Sequence, residues 1–131
     1  MVSSRPGGPT KPGDTATKIV FSWNGKYCGY HDLATFARCD ELVAHPSWRQ
    51  TNGQLVHIKG DRPGSARYDE KQSNWDRHNS PNLMVMCPKH HTLVDRLRPE
   101  DHPAHVLDEM KRRAEDEEAR LADPPFWLRD D

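Results

Sequence analysis

A short apolar run that ends in a cysteine and a proline constrains this chain most. In Asn82-Leu-Met-Val-Met-Cys-Pro-Lys-His-His91, the residues Leu83–Met86 read as a buried strand and Pro88 as the first position of a helix that Pro99 ends. Adjacent residues on a helix diverge by about 100°, so His90 and His91 look in different directions. Cys87 and His90, in a Cys-x2-His spacing, can close on one tetrahedral Zn²⁺ and leave His91 to face a second site. Asp95, four residues beyond His91, shares its face and can bond one imidazole nitrogen while the other is presented to a cation.

Composition favours a metal-stapled fold. Only 34% of the 131 residues are apolar, enough for one modest domain with a small core. Three cysteines (Cys28, Cys39, Cys87) beside eight histidines, with no apolar leader, suit metal ligation better than a disulfide framework. Completing the zinc site needs two more ligands. Cys28 and Cys39 are favoured because thiolates dominate closed zinc sites, but Cys28-Gly-Tyr-His31 repeats the Cys-x2-His spacing and keeps His31 open as an alternative. The competing reading has all three cysteines as buried free thiols acting as small apolar residues.

Along the chain, residues 1–17 are rich in Ser, Pro, Gly and Thr and read as a disordered segment. The β-branched and aromatic run Lys18–Trp23, followed by Asn24-Gly25, predicts a short hairpin ending near Cys28. A single helical turn is expected within Asp32–Arg38, and short strands at Glu41–Ala44 and Gln54–Ile58. Residues 59–81 form a long polar loop of the kind that carries function. Val106, Leu107, Met110, Ala114 and Leu121 make His105–Ala122 an amphipathic helix that packs by its first three turns. Charge is uneven: residues 1–100 hold 14 Lys and Arg against 10 Asp and Glu, whereas residues 101–131 hold 5 against 10.

Taken together, His57, Asn82 and His91 with the flanking segments VHIKG, GSARYD and NLMVMCPKHHTLVD resemble the zinc-containing branch of the HNH endonucleases. The resemblance covers roughly Cys28 to Arg98. It implies a small α+β domain of the ββα-metal (HNH, His-Me finger) type over residues 18–100, with structural zinc, followed by an acidic C-terminal helix and tail over 101–131. It further implies that His57 is the general base, that His91 binds a catalytic Mg²⁺ or Mn²⁺, and that Asn82 orients the loop or His57. Many family members carry a metal-binding acid or histidine where this chain has Val56, which leaves Gln54, Asp61 and Asp69 as substitutes.

The substrate expected on this basis is DNA. Lys59 and Arg67 are its expected phosphate contacts, with Arg62, Lys71 and Arg77 spread along the same loop and Tyr68 able to stack on a base. No segment reads as a base-reading helix. A soluble, cytoplasmic protein without membrane contact is expected, with room for a homo-oligomer or a regulatory protein partner. Two rival readings stand beside the nuclease. One is a non-catalytic zinc-stabilised module that binds nucleic acid or protein. The other is a Cys-His hydrolase using Cys87, which a thiol committed to zinc argues against.

Overall fold

The computed structural model describes residues 8–45, 47 and 50–121. It is a small α+β domain built on one two-stranded antiparallel sheet. Strands β1 (Gln54–His57) and β2 (Leu83–Met86) pair in the register Gln54 with Met86 through His57 with Leu83. All four residues of β2 are buried, as the continuous apolar run requires, because α1 (Asp14–Asn24) packs on this strand. β1 buries only Val56 fully, and its flanking Leu55 and His57 stay half-buried.

The segment Lys18–Trp23 is helical, which corrects the expected hairpin. Ala16, Val20 and Asn24 recur at the spacing of a helix face, and this stripe faces the core, so helix packing overrides the strand propensity of the β-branched residues. Asn24-Gly25 ends that helix instead of turning a hairpin. Gly25 has φ +81° and donates its N–H to the Phe21 carbonyl, and Asn24 Nδ2 donates to the carbonyls of Gly25 and Tyr27. Of the segment expected to be disordered, residues 1–7 lie outside the described residues and Asp14–Thr17 is the first turn of α1.

A hairpin does form, one element later. Backbone bonds from Cys28 to Glu41, from Cys39 to Tyr30 and from Asp32 to Ala37 fold residues 27–42 back on themselves. Its tip, where a helical turn is expected, is closed by the Asp32 carboxylate accepting from Ala34 and Thr35. Arg38 fastens this hairpin: its guanidinium donates to the carbonyls of Asn24, Tyr27 and Cys28 and pairs with Glu117 at 2.6 Å.

The loop after β1 contains one short helix, α2 (Asn74–Arg77), started by the Ser73 hydroxyl. A 3₁₀ turn, Ser80–Asn82, leads into β2. α3 (Pro88–Thr92) starts at Cys87 and continues as a π-helical turn over Leu93–Leu97. The last helix, α4 (Ala104–Leu121), buries Leu107, Met110 and Ala114, and its packing reaches further than three turns because Glu117 holds Arg38. The tail beyond Leu121, with the expected helix end at Ala122, lies outside the described residues. Among the described residues no helix is long and apolar enough to cross a membrane.

Candidate functional site

The corner between β2 and α3 faces the hairpin, and this brings Cys28, Cys39, Cys87 and His90 together. Their ligand atoms all lie within 4.8 Å of one another. His90 Nδ1 is 3.6 Å from Cys28 Sγ and 3.5 Å from Cys87 Sγ. A tetrahedral Zn²⁺ with Zn–S of about 2.3 Å and Zn–N of about 2.0–2.1 Å sets S and N about 3.6 Å apart, so the cluster can hold a metal such as zinc. Cys28 and Cys39 meet because they sit on opposite arms of the hairpin, which explains how cysteines so far apart in sequence serve one site. His31 is not among the four. Its Nδ1–H donates to the Gly29 carbonyl at 3.0 Å, and the favoured Cys39, not the alternative His31, stands in the cluster.

The surroundings of the cluster suit a cation. Cys28 Sγ accepts backbone N–H bonds from Cys87 (3.2 Å) and Tyr30 (3.5 Å), and Cys39 Sγ accepts from Glu41 (3.5 Å). Burial foremost, and then the neighbouring thiols, push the Cys28 thiol up to about 12. A divalent cation relieves that repulsion by holding the thiolates. The Tyr30 ring stacks on His90 with 4.1 Å between centroids, and Tyr30 O–H donates to His102 Nε2 at 2.9 Å, while His102 Nδ1–H donates to the Arg98 carbonyl at 2.7 Å. Tyr30 and His102 thus orient a ligand ring. Sequence reasoning overlooks them because a stacking contact across 60 residues leaves no periodic signal.

His91 turns the other way, into a cleft of about 750 Å³ whose walls include His57, Gln54, Asp61, Arg62, Asp95 and Arg96. His91 Nε2 lies 3.0 Å from Asp95 Oδ2, and its Nδ1 lies 2.8 Å from Gln54 Oε1. Of the residues able to stand in for an acid at position 56, Gln54 is thus the one beside His91. Val56 itself is wholly buried in the core. Asp69 instead pairs with Lys59 at 3.2 Å.

His57 Nε2 is 3.0 Å from Nδ1 of His78, edge to face; His57 is half-buried and His78 buried. Burial, followed by nearby positive charge, lowers the pKa of each ring, although Asp61 opposes the shift in both cases. His57 is accordingly neutral at pH 7.

Asn82 is not hydrogen-bonded to His57. Its Oδ1 accepts from Lys59 N at 2.9 Å, and its Nδ2 donates to the carbonyls of Lys59 (2.9 Å) and Arg77 (2.8 Å). It therefore ties the two ends of the 59–77 loop to the start of β2.

Arg67 departs from its expected phosphate role. Its Nε–H donates to Ile58 O, its Nη1 to Val94 O and His102 O, and its Nη2 to His57 O and Asp95 Oδ1. All five donors of a guanidinium are thereby occupied inside the protein, and the side chain is only 6% exposed. Its backbone is left-handed, φ +62°, which lets the side chain turn inward. Tyr68, the expected base-stacking ring, is covered on one side by the Arg77 guanidinium at 4.9 Å. Arg62 and Arg96 supply the cationic side chains of the cleft instead, with Lys59 half-exposed at 43% nearby in the loop.

No protein-family model matches the chain, and no curated protein matches it in sequence.

Proposed function

We propose that this chain is a zinc-stapled endonuclease of the HNH type, built on a ββα-metal core, that hydrolyses phosphodiester bonds in DNA. The observation that carries the reading is the divergence at α3: His90 joins the thiol cluster while its neighbour His91 faces the same cleft as His57. A scaffold site and a working site on one short helix are what such an enzyme requires.

In this mechanism His57 is the general base. Its lowered affinity for protons keeps it unprotonated at neutral pH, ready to take a proton from an attacking water. The water oxygen bonds to phosphorus, the bond from phosphorus to the 3′ oxygen breaks, and the departing oxygen takes a proton from solvent. His91 Nδ1, 2.8 Å from Gln54 Oε1, would hold a divalent cation in place of that contact, while Asp95 holds Nε2. Mg²⁺ or Mn²⁺ bound there would supply charge neutralisation at the phosphate and at the leaving oxygen. Arg62 and Arg96, both in the cleft wall, hold the flanking phosphates. Asn82 acts through the loop it clamps.

The test is a plasmid nicking and cleavage assay on the zinc-loaded chain with Mg²⁺ or Mn²⁺, beside His57→Ala and His91→Ala. Cleavage that needs the cation and disappears in both variants, with their zinc content unchanged, is the expected result. A specific observation favours a second reading, a zinc-stabilised nucleic-acid or protein binding module: Val56 is sealed in the core, so the cation has few protein ligands. DNA retardation without cleavage under every cation would replace the first reading by the second.

A further inference from the structure

We infer that His78 is the positioning residue for the general base: it accepts the Nε2–H of His57, and Asn82 acts on the base through it. This inference rests on the proposed role of His57.

Two imidazole nitrogens 3.0 Å apart share one proton between them, so the pair has two arrangements. In one, His78 Nδ1–H donates to His57 Nε2. That consumes the His57 lone pair and leaves Nδ1–H, which cannot accept a proton from water. In the other, His57 Nε2–H donates to His78 Nδ1, and His57 Nδ1 keeps a bare lone pair. Only the second arrangement serves a general base. No carboxylate is hydrogen-bonded to either ring among the described residues, which leaves the partner imidazole as the group that can fix the tautomer. The edge-to-face packing, with centroids 5.1 Å apart and planes at 85°, aims the His57 N–H along the plane of its partner and fixes ring rotation as well.

His78 is braced for this task. It is only 5% exposed and follows α2 directly, with its N–H bonded to the Asn74 carbonyl. The carbonyl just before it, that of Arg77, accepts from Asn82 Nδ2 at 2.8 Å. The Arg77 side chain is buried and donates to Asn74 Oδ1 and to the carbonyls of Asp69 and Gln72. A relay from Asn82 to the 77–78 peptide, then to His78 and then to His57 follows. It gives the asparagine a role without a hydrogen bond to the base.

The test is the tautomeric state of His57 in the zinc-loaded full chain labelled with ¹⁵N-histidine, read from long-range ¹H–¹⁵N correlations at neutral pH. The expected result is a single Nε2–H tautomer for His57 in the parent. His78→Phe, which removes the acceptor, is expected to give a tautomeric mixture and a kcat lower by roughly 10–100-fold with KM little changed. His78→Gln, whose carbonyl oxygen can accept the same N–H, is expected to restore most of both. Asn82→Ala is expected to broaden or split the His57 signals. A parent His57 in the Nδ1–H form overturns the inference. So does an unchanged tautomer in His78→Phe with zinc content and spectral dispersion preserved. The spectra do not depend on catalysis: absent cleavage in the parent with the expected tautomers would overturn the nuclease reading alone.

Discussion

Arg67 and Asp95 form an ion pair at 2.5 Å, and the second oxygen of the same carboxylate faces His91. A loop arginine, the carbonyls at the end of β1 and the helix that carries His91 are therefore one hydrogen-bonded unit. Removing Arg67 strands the Asp95 charge and several carbonyls at once. Arg67→Met is expected to lower the stability of the fold by about 3–5 kcal/mol, and Arg67→Lys by nearly as much, because one ammonium cannot reach five acceptors. Lys59→Ala, at a half-exposed pair, is expected to change stability by less than about 1 kcal/mol. Urea unfolding of the three variants decides it: a stable Arg67→Met would return this residue to the role of a free phosphate ligand.

The metal cluster makes a stoichiometric prediction. About one zinc per chain is expected, and its removal by chelator is expected to lower Tm sharply, since a chain with this little apolar content relies on the staple. Cys28→Ser, Cys87→Ser and Cys39→Ser should each lose tight zinc binding, and His31→Ala should keep it. Because the thiols must lose protons to bind, calorimetric titration in buffers of different ionisation enthalpy should show proton release. Full zinc content in Cys39→Ser would contradict the four-ligand assignment.

Asn82 joins Lys59 and Arg77 through three hydrogen bonds. Asn82→Ala leaves an N–H and two carbonyls without partners and is expected to cost on the order of 3 kcal/mol. Asn82→Asp keeps the acceptor for the Lys59 N–H but has no donor for the carbonyls, so its cost should be similar. Hydrogen exchange at the Lys59 amide is the direct readout, and unaltered protection there in Asn82→Ala would refute the clamp.

Acid sensitivity follows from the buried imidazoles. Burial foremost lowers the pKa of His31, His57 and His78 in the folded chain. The unfolded state then binds more protons as pH falls below about 6.5, so this part of the stability is complete above that value and declines on acidification toward the lower folded values. Asp95 adds a second, more acidic loss. Burial alone would raise its carboxyl, but hydrogen bonds from His91 and Arg67 outweigh burial and hold it below the usual carboxylate range. Its share is present above about pH 4 and disappears as pH falls through the folded value. Denaturation midpoints at pH 7.5 and 5.5, with zinc content monitored, are expected to fall on acidification and to fall less in His57→Gln. Equal midpoints in the parent would exclude the effect.

How much of this was legible beforehand depends on range. β1, β2 and the start of α3 are written locally: an apolar run between polar loops has few ways to be buried, and Pro88 allows a helix to start but not a strand to continue. The divergence of His90 from His91 follows from helical geometry alone, and so does the approach of Asp95 to His91. Local propensity failed at α1. There Lys18–Trp23 favours a strand, and only the surfaces of β2 and α4 decide that Val20 must meet them from a helix.

The amino-acid order by itself determined the strand-to-helix corner, the Cys-x2-His pair and the thiol-rich ligand set, because those depend on residue type and on spacings within one or two helical turns. Two things waited for the tertiary structure: the inward turn of Arg67 and the meeting of His57 with His78. Each is a contact between segments far apart along the chain. Such contacts depend on how the hairpin and the loop close over the sheet, and closure is a property of the packed core and its hydrogen bonds rather than of any local pattern.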